Sequence, residues 1–110
     1  MKHLSEFTDL TRAQVEALLE CFDFLRNGYI QVIDYNEGDV WIIQMRHKEK
    51  KRKLTISIKA FEYTIKKDGK LVKTVTYQWS GNRYKLFVNS DMSVGVVRTR
   101  WCGGVNSVSS

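Results

Sequence analysis

Catalysis requires groups that can meet with matched protonation states: a nucleophile beside a base, paired carboxylates, a glycine-rich phosphate cradle or a set of metal ligands. The chain holds two histidines, His3 and His47, and two cysteines, Cys21 and Cys102, at no spacing that suits zinc or a thiol–imidazole pair. The nearest approach to a catalytic order is Asp39 followed by Glu49-Lys50-Lys51. An acid on one strand and then Glu-x-Lys on the next would, in a magnesium-dependent nuclease, bind the ion and position water. Glu49 has no apolar flanks that would make it part of a buried strand. The expectation is therefore a protein that binds and does not catalyse, with no cofactor and no metal.

The strongest local feature is the run Arg46-His47-Lys48-Glu49-Lys50-Lys51-Arg52-Lys53, six cations against one acid. It cannot be core, and as a loop at a sheet end it presents Arg46, Lys48, Lys50, Lys51, Arg52 and Lys53 to a phosphate backbone without reading bases. Arg83, Lys85, Arg98 and Arg100 on later strands would extend that surface. Aromatics interleave with these cations, among them Phe61, Tyr77, Trp79 and Trp101, and any that face outward would stack bases beside a positive groove. The plainer account is a solvated loop, outward lysines that discourage edge pairing, and aromatics that fill the core. His47 reads as one more solvated residue of the run.

Charge is uneven along the chain. The net charge is +6, yet residues 1–39 hold three cations against eight anions and the remainder fifteen against four. Glu16, Glu20 and Asp23 recur on one side of a helical pattern and form the candidate surface for a protein partner. Two function classes follow. The first is a nucleic-acid or ribonucleoprotein-binding protein working mostly through phosphate contacts. The alternative is a small inhibitor or adaptor, of the size common in phage and mobile elements, acting on a nucleic-acid-processing complex or as a homodimer.

The elements that must position these residues have clear punctuation. Thr11 can cap a helix, Gln14 completes a capping box, Leu10 can staple onto Val15, and Asn27-Gly28 supplies the stop. Ala13, Ala17 and Cys21 would let that helix lie close to a sheet, with Cys21 a small reduced core residue. From Gly28 onward the apolar period is two. Strands are expected over 29–34, 40–46, 53–66, 71–79, 84–88 and 94–101, with a bulge or break near Lys59 and Ala60 and a tight turn at Asp68-Gly69. The sequence pattern predicts an α+β fold, one N-terminal helix packed on a meandering antiparallel sheet of about five to six strands, after a lead-in over 1–10. Its 110 residues suit a single domain over 1–102 with a flexible polar tail over 103–110. No apolar run approaches the ~20 residues that cross a bilayer and no secretory signal opens the chain, so a cytoplasmic, membrane-free protein is expected.

Overall fold

The computed structural model describes residues 6–91 and 93–100; the expected tail over 103–110, with Trp101 and Cys102, lies outside the described residues. The helix α1 (Arg12–Arg26) begins as its sequence dictates. Thr11 is extended, the Gln14 amide donates to Thr11 Oγ1 at 3.2 Å, and the Thr11 amide donates to Gln14 Oε1 at 2.9 Å. That reciprocal capping box satisfies amides which the first helical turn leaves without partners. Leu10 and Val15, on either side of it, are both buried. Ala13 and Ala17 are fully buried and Cys21 nearly so, which brings the helix backbone close to the strands beneath.

Five strands follow in chain order: β2 (Tyr29–Glu37), β3 (Val40–His47), β4 (Lys53–Ile58), β5 (Glu62–Lys67) and β6 (Lys70–Thr76). They form one antiparallel meander with each strand beside its neighbours in sequence. Period-two alternation sends Ile43 and Met45, Leu54, Ile56 and Ile58, and Tyr63 and Ile65 to the helix side, where all are buried. Ile43, Ile56 and Ile65 lie abreast across three strands. Each such side chain contributes about 1.5–3 kcal/mol by leaving water. The parity change near Lys59 is a hairpin turn, closed by the Lys59 amide on Glu62 O at 2.8 Å. Asp68 and Gly69 both have positive φ, 52° and 82°, as a two-residue hairpin of matching twist requires.

The expected single sheet under an N-terminal helix is not what forms. Among the described residues there are eight strands in two antiparallel sheets, and the lead-in contains a strand, β1 (Glu6–Leu10). It pairs with β7 (Arg83–Val88), which pairs in turn with β8 (Val94–Arg100), giving the order β1-β7-β8. The split falls at the connector over 77–82. After the Tyr77 amide bonds Phe61 O at 2.8 Å, Arg83 Nη1 folds back on Ser80 O and Asn82 O at 3.0 and 2.8 Å, and the chain leaves the meander. Phe7 then stands opposite Leu86 on β7. Leu86 is fully buried in the same core as the helix and the larger sheet, so α1 packs against both sheets. The class is α+β with antiparallel sheets. No helix among the described residues is long and apolar enough to cross a membrane.

Candidate nucleic-acid interface

The basic run is the β3–β4 connection, and it is anchored from beneath. His47 is not a solvated residue of the loop: it is half-buried, its ring meeting Tyr29 edge-on at 4.9 Å between centroids. Its Nδ1 accepts the amides of Glu49 and Lys50, both at 3.1 Å. The Lys48 amide donates to Gly28 O at 2.9 Å, tying the loop to the helix end, and the His47 amide donates to Arg52 O at 3.0 Å across its base. Gly28 has φ +97° and lies so near the ring that a Cβ there would sit 2.7 Å from His47 Nε2. A short run of cations is thereby held in one shape despite its own repulsion.

Asp68 joins a second basic turn to the first. Its Oδ1 accepts the Lys53 amide and its own amide donates to Lys53 O, each at 2.9 Å. The β5–β6 hairpin end carries Lys66, Lys67 and Lys70, so nine cations gather at one end of the larger sheet with only Glu49 and Asp68 among them. Among the described residues none of the nine has an ion-pair partner within 4 Å. The loop and Asp68 enclose a concavity of about 410 Å³. A second of about 390 Å³, sharing Arg46 and Lys53, runs onto the sheet face turned away from the helix and is lined there by Gln44 and Thr55 together with exposed Val32. That outer face continues through Ser57, Thr64 and Thr74 by strand register. Hydroxyl and amide donors beside Lys and Arg are the groups that contact sugar and phosphate.

The remaining expected cations lie elsewhere. Arg83 is folded onto its connector, Lys85 Nζ pairs with Glu6 at 2.6 Å, and Arg98 and Arg100 stand on β8 opposite Tyr84 and Arg83. Leu10, which precedes the helix start, faces Tyr84, whereas the helix end meets the basic loop. The 15 residues of α1 thus separate the Arg83 group from the tip by roughly 22 Å of helical rise. Among the described residues, the outward aromatics of the expected set do not flank the tip either. Trp79, 76% exposed and 6.5 Å from the Phe61 ring, follows the far end of β6, and Tyr63 is buried.

The helix acids divide. Glu16 pairs with Arg12 at 3.2 Å, and Asp23 is the most exposed of the three, with Arg26 3.9 Å away. Glu20 turns to the sheet, where it pairs with Lys73 and accepts the Tyr63 hydroxyl at 2.9 Å. Burial, reinforced by that bond, pushes the Tyr63 hydroxyl well above its ordinary value. Burial also pushes the Cys21 thiol up to about 12, as expected of a thiol packed in the core. Asp39 and Glu49 lie beyond opposite ends of the eight-residue β3, roughly 26 Å apart along the strand, so the nuclease order is not a site. Comparison with protein-family models, curated proteins and solved structures found no match.

Proposed function

We propose that the protein is a non-enzymatic nucleic-acid-binding module that grips phosphates with its basic tip and the adjoining outer face of the larger sheet. One observation carries the reading. Two turns lie side by side at one end of the meander and are joined by Asp68 to Lys53, so that nine cations without ion-pair partners among the described residues share one end of the larger sheet. The anchoring by His47 and Gly28 supports it, because an ordered loop loses less entropy when it binds. Contacts of this kind position a backbone and carry no sequence preference.

The test is a salt series of binding to mixed single- and double-stranded DNA and RNA. Each duplex phosphate neutralised contributes about −0.9 to the slope of log affinity against log salt. Replacing Lys50, Lys51, Arg52 and Lys53 by Ala should flatten that slope by up to about 3.6 and weaken every sequence alike. An unchanged slope in a folded variant rejects the reading.

A second reading, an adaptor or inhibitor of another protein, has its own observation in Trp79. A tryptophan 76% exposed beside Phe61, at the end away from the tip, is the residue type that dominates protein interfaces. Capture of a protein partner that is lost with Trp79→Ala or with charge reversal at Glu16 and Asp23, and kept in the tip variant, would favour it.

A further inference from the structure

The alternation of β2 breaks at its middle. Tyr29 and Gln31 stand opposite His47 and Met45 on the helix side. A register shift between Gln31 and Ile33 then restarts the pattern one residue out. Beyond it Asp34 and Asn36 stand opposite Ile43 and Trp41 on the inner side, while Ile33 and Tyr35 go to the outer side, 48% and 39% exposed. A bulge of this kind re-aims side chains and is over-represented beside binding sites. Here it exposes two large apolar residues and sets a carboxylate on the apolar side of the sheet, a local conflict of the sort that marks function.

That carboxylate stands at the rim of a cavity of about 250 Å³ between α1, β1 and the inner side of β2 and β3. Buried Ile43, Met45 and Cys21 contribute to its lining, together with the rings of Phe7, Phe22 and Trp41. Phe7 and Trp41 are 6.1 Å apart between centroids and inclined at 44°. Asp34 is aimed by two donors: Trp41 Nε1 to Oδ2 and Gln31 Nε2 to Oδ1, both at 3.1 Å. No Lys or Arg lines the cavity, and among the described residues none pairs with Asp34, although the chain carries a net charge of +6. Asp34 is itself exposed at that rim, and an oriented carboxylate without a cationic partner beside aromatic rings is complementary to a cation with apolar substituents.

We infer that this cavity binds an alkylammonium or methylammonium group, with Asp34 facing the charge and Trp41, Phe7 and Phe22 enclosing its carbons. The volume is below the roughly 300–1,000 Å³ of pockets for drug-sized ligands, so the occupant is a head group: a small amine or the end of a lysine side chain. The site is independent of the basic tip, which repels the same ligand.

The test follows the indole N–H of Trp41 by ¹H–¹⁵N correlation, assigned with Trp41→Phe, as tetramethylammonium, n-butylammonium or choline is added. A saturable shift with Kd of about 1–10 mM is expected. The neutral isostere of choline, 3,3-dimethylbutan-1-ol, should bind at least about tenfold more weakly, and Asp34→Asn should remove that difference, since only charge separates the two probes. Equal binding of choline and its neutral isostere to the native chain overturns the inference without any variant. So does a Trp41 signal that stays still up to about 50 mM probe, well above the expected Kd. Nα-acetyl-lysine amide, plain and trimethylated, forms the second arm. Tighter binding of either than of n-butylammonium identifies a peptide lysine as the source, and weaker binding a free amine.

Discussion

Gly28→Ala is the most informative single substitution for the tip, because one methyl group strikes the residue that shapes it. Gly28 has φ +97°, and its Cβ would lie 2.7 Å from His47 Nε2 and 3.1 Å from Cε1. The left-handed backbone alone costs an alanine about 1 kcal/mol. Moving the ring then loosens two amide bonds to Nδ1 and the edge contact with Tyr29, at roughly 1 kcal/mol for each hydrogen bond. The total is about 3 kcal/mol. Gly69 and Gly38 also have positive φ but nothing within 4 Å of a new Cβ, so their alanine variants should lose only the backbone term, about 1 kcal/mol. Urea unfolding of the three variants measures the difference directly, and in a His47→Ala background Gly28→Ala should fall to the cost of the other two. The same variant should weaken phosphate binding at unchanged net charge, because the Glu49 and Lys50 amides lose the acceptor that holds the loop. A Gly28→Ala loss no larger than that of Gly69→Ala refutes the steric reasoning. A full loss of stability with phosphate affinity intact refutes the link between loop order and binding.

Other consequences are as direct. In a Cys102→Ser background the Cys21 thiol should resist alkylation at about pH 8 in the folded protein and react once urea unfolds it. Its folded pKa is raised from 9.0 to about 12, so its contribution to stability is complete below the unfolded value and drains away as pH climbs between the two. That loss is about 1.4 kcal/mol per pH unit, visible as an alkaline fall in urea midpoint that Cys21→Ala makes shallower. Glu20→Gln keeps an acceptor for Tyr63 and should cost under about 1 kcal/mol, since Lys73 is a partly exposed partner. Glu20→Ala orphans the Tyr63 hydroxyl and should cost about 1–2 kcal/mol, with the raised tyrosine titration moving back toward normal in ultraviolet absorbance. Leu86→Ala should cost about 2–5 kcal/mol and shift one cooperative transition, whereas two separated transitions would show that the small sheet does not share the core.

What could be read in the residues followed from how local each signal was. The capping box, the Asn27-Gly28 stop, the Asp68-Gly69 turn and the alternation of Leu54, Ile56 and Ile58 are set by neighbours a few positions apart, and each formed. The strand Glu6–Leu10 was not legible, because Asp9 sits at φ 59° inside a register shift that destroys any alternation. Its stability comes from β7, more than 70 residues away. The division into two sheets falls at the connector over 77–82, where Arg83 bonds the carbonyls of Ser80 and Asn82, a contact no hydropathy pattern encodes. At the tip the composition of the run was plain, but its union with Lys66, Lys67 and Lys70 rests on the register of β4 against β5 and on Asp68, a residue whose obvious role was the turn. His47 read as solvated because its partners are backbone amides and a tyrosine 18 positions back.

The uneven charge of the chain acquires a physical meaning from these placements. Of the acids before residue 40, Glu6, Glu16 and Glu20 pair with Lys85, Arg12 and Lys73, and Asp34 holds an indole and an amide. The tip cations have no such partners among the described residues, so the local excess of positive charge exceeds the net +6 divided over the surface. At physiological salt the Debye length is about 8 Å, shorter than the roughly 22 Å of helix between the tip and the Arg83 group. The tip therefore acts on a phosphate chain as one unit, and the Arg83 group contributes only if the ligand reaches that far. Replacing Arg83 and Arg98 by Ala should leave the salt slope for a short duplex unchanged while the tip variant flattens it. A slope that falls equally in both variants would mean that affinity follows total charge, and the ordered tip would lose its claim to be the binding site.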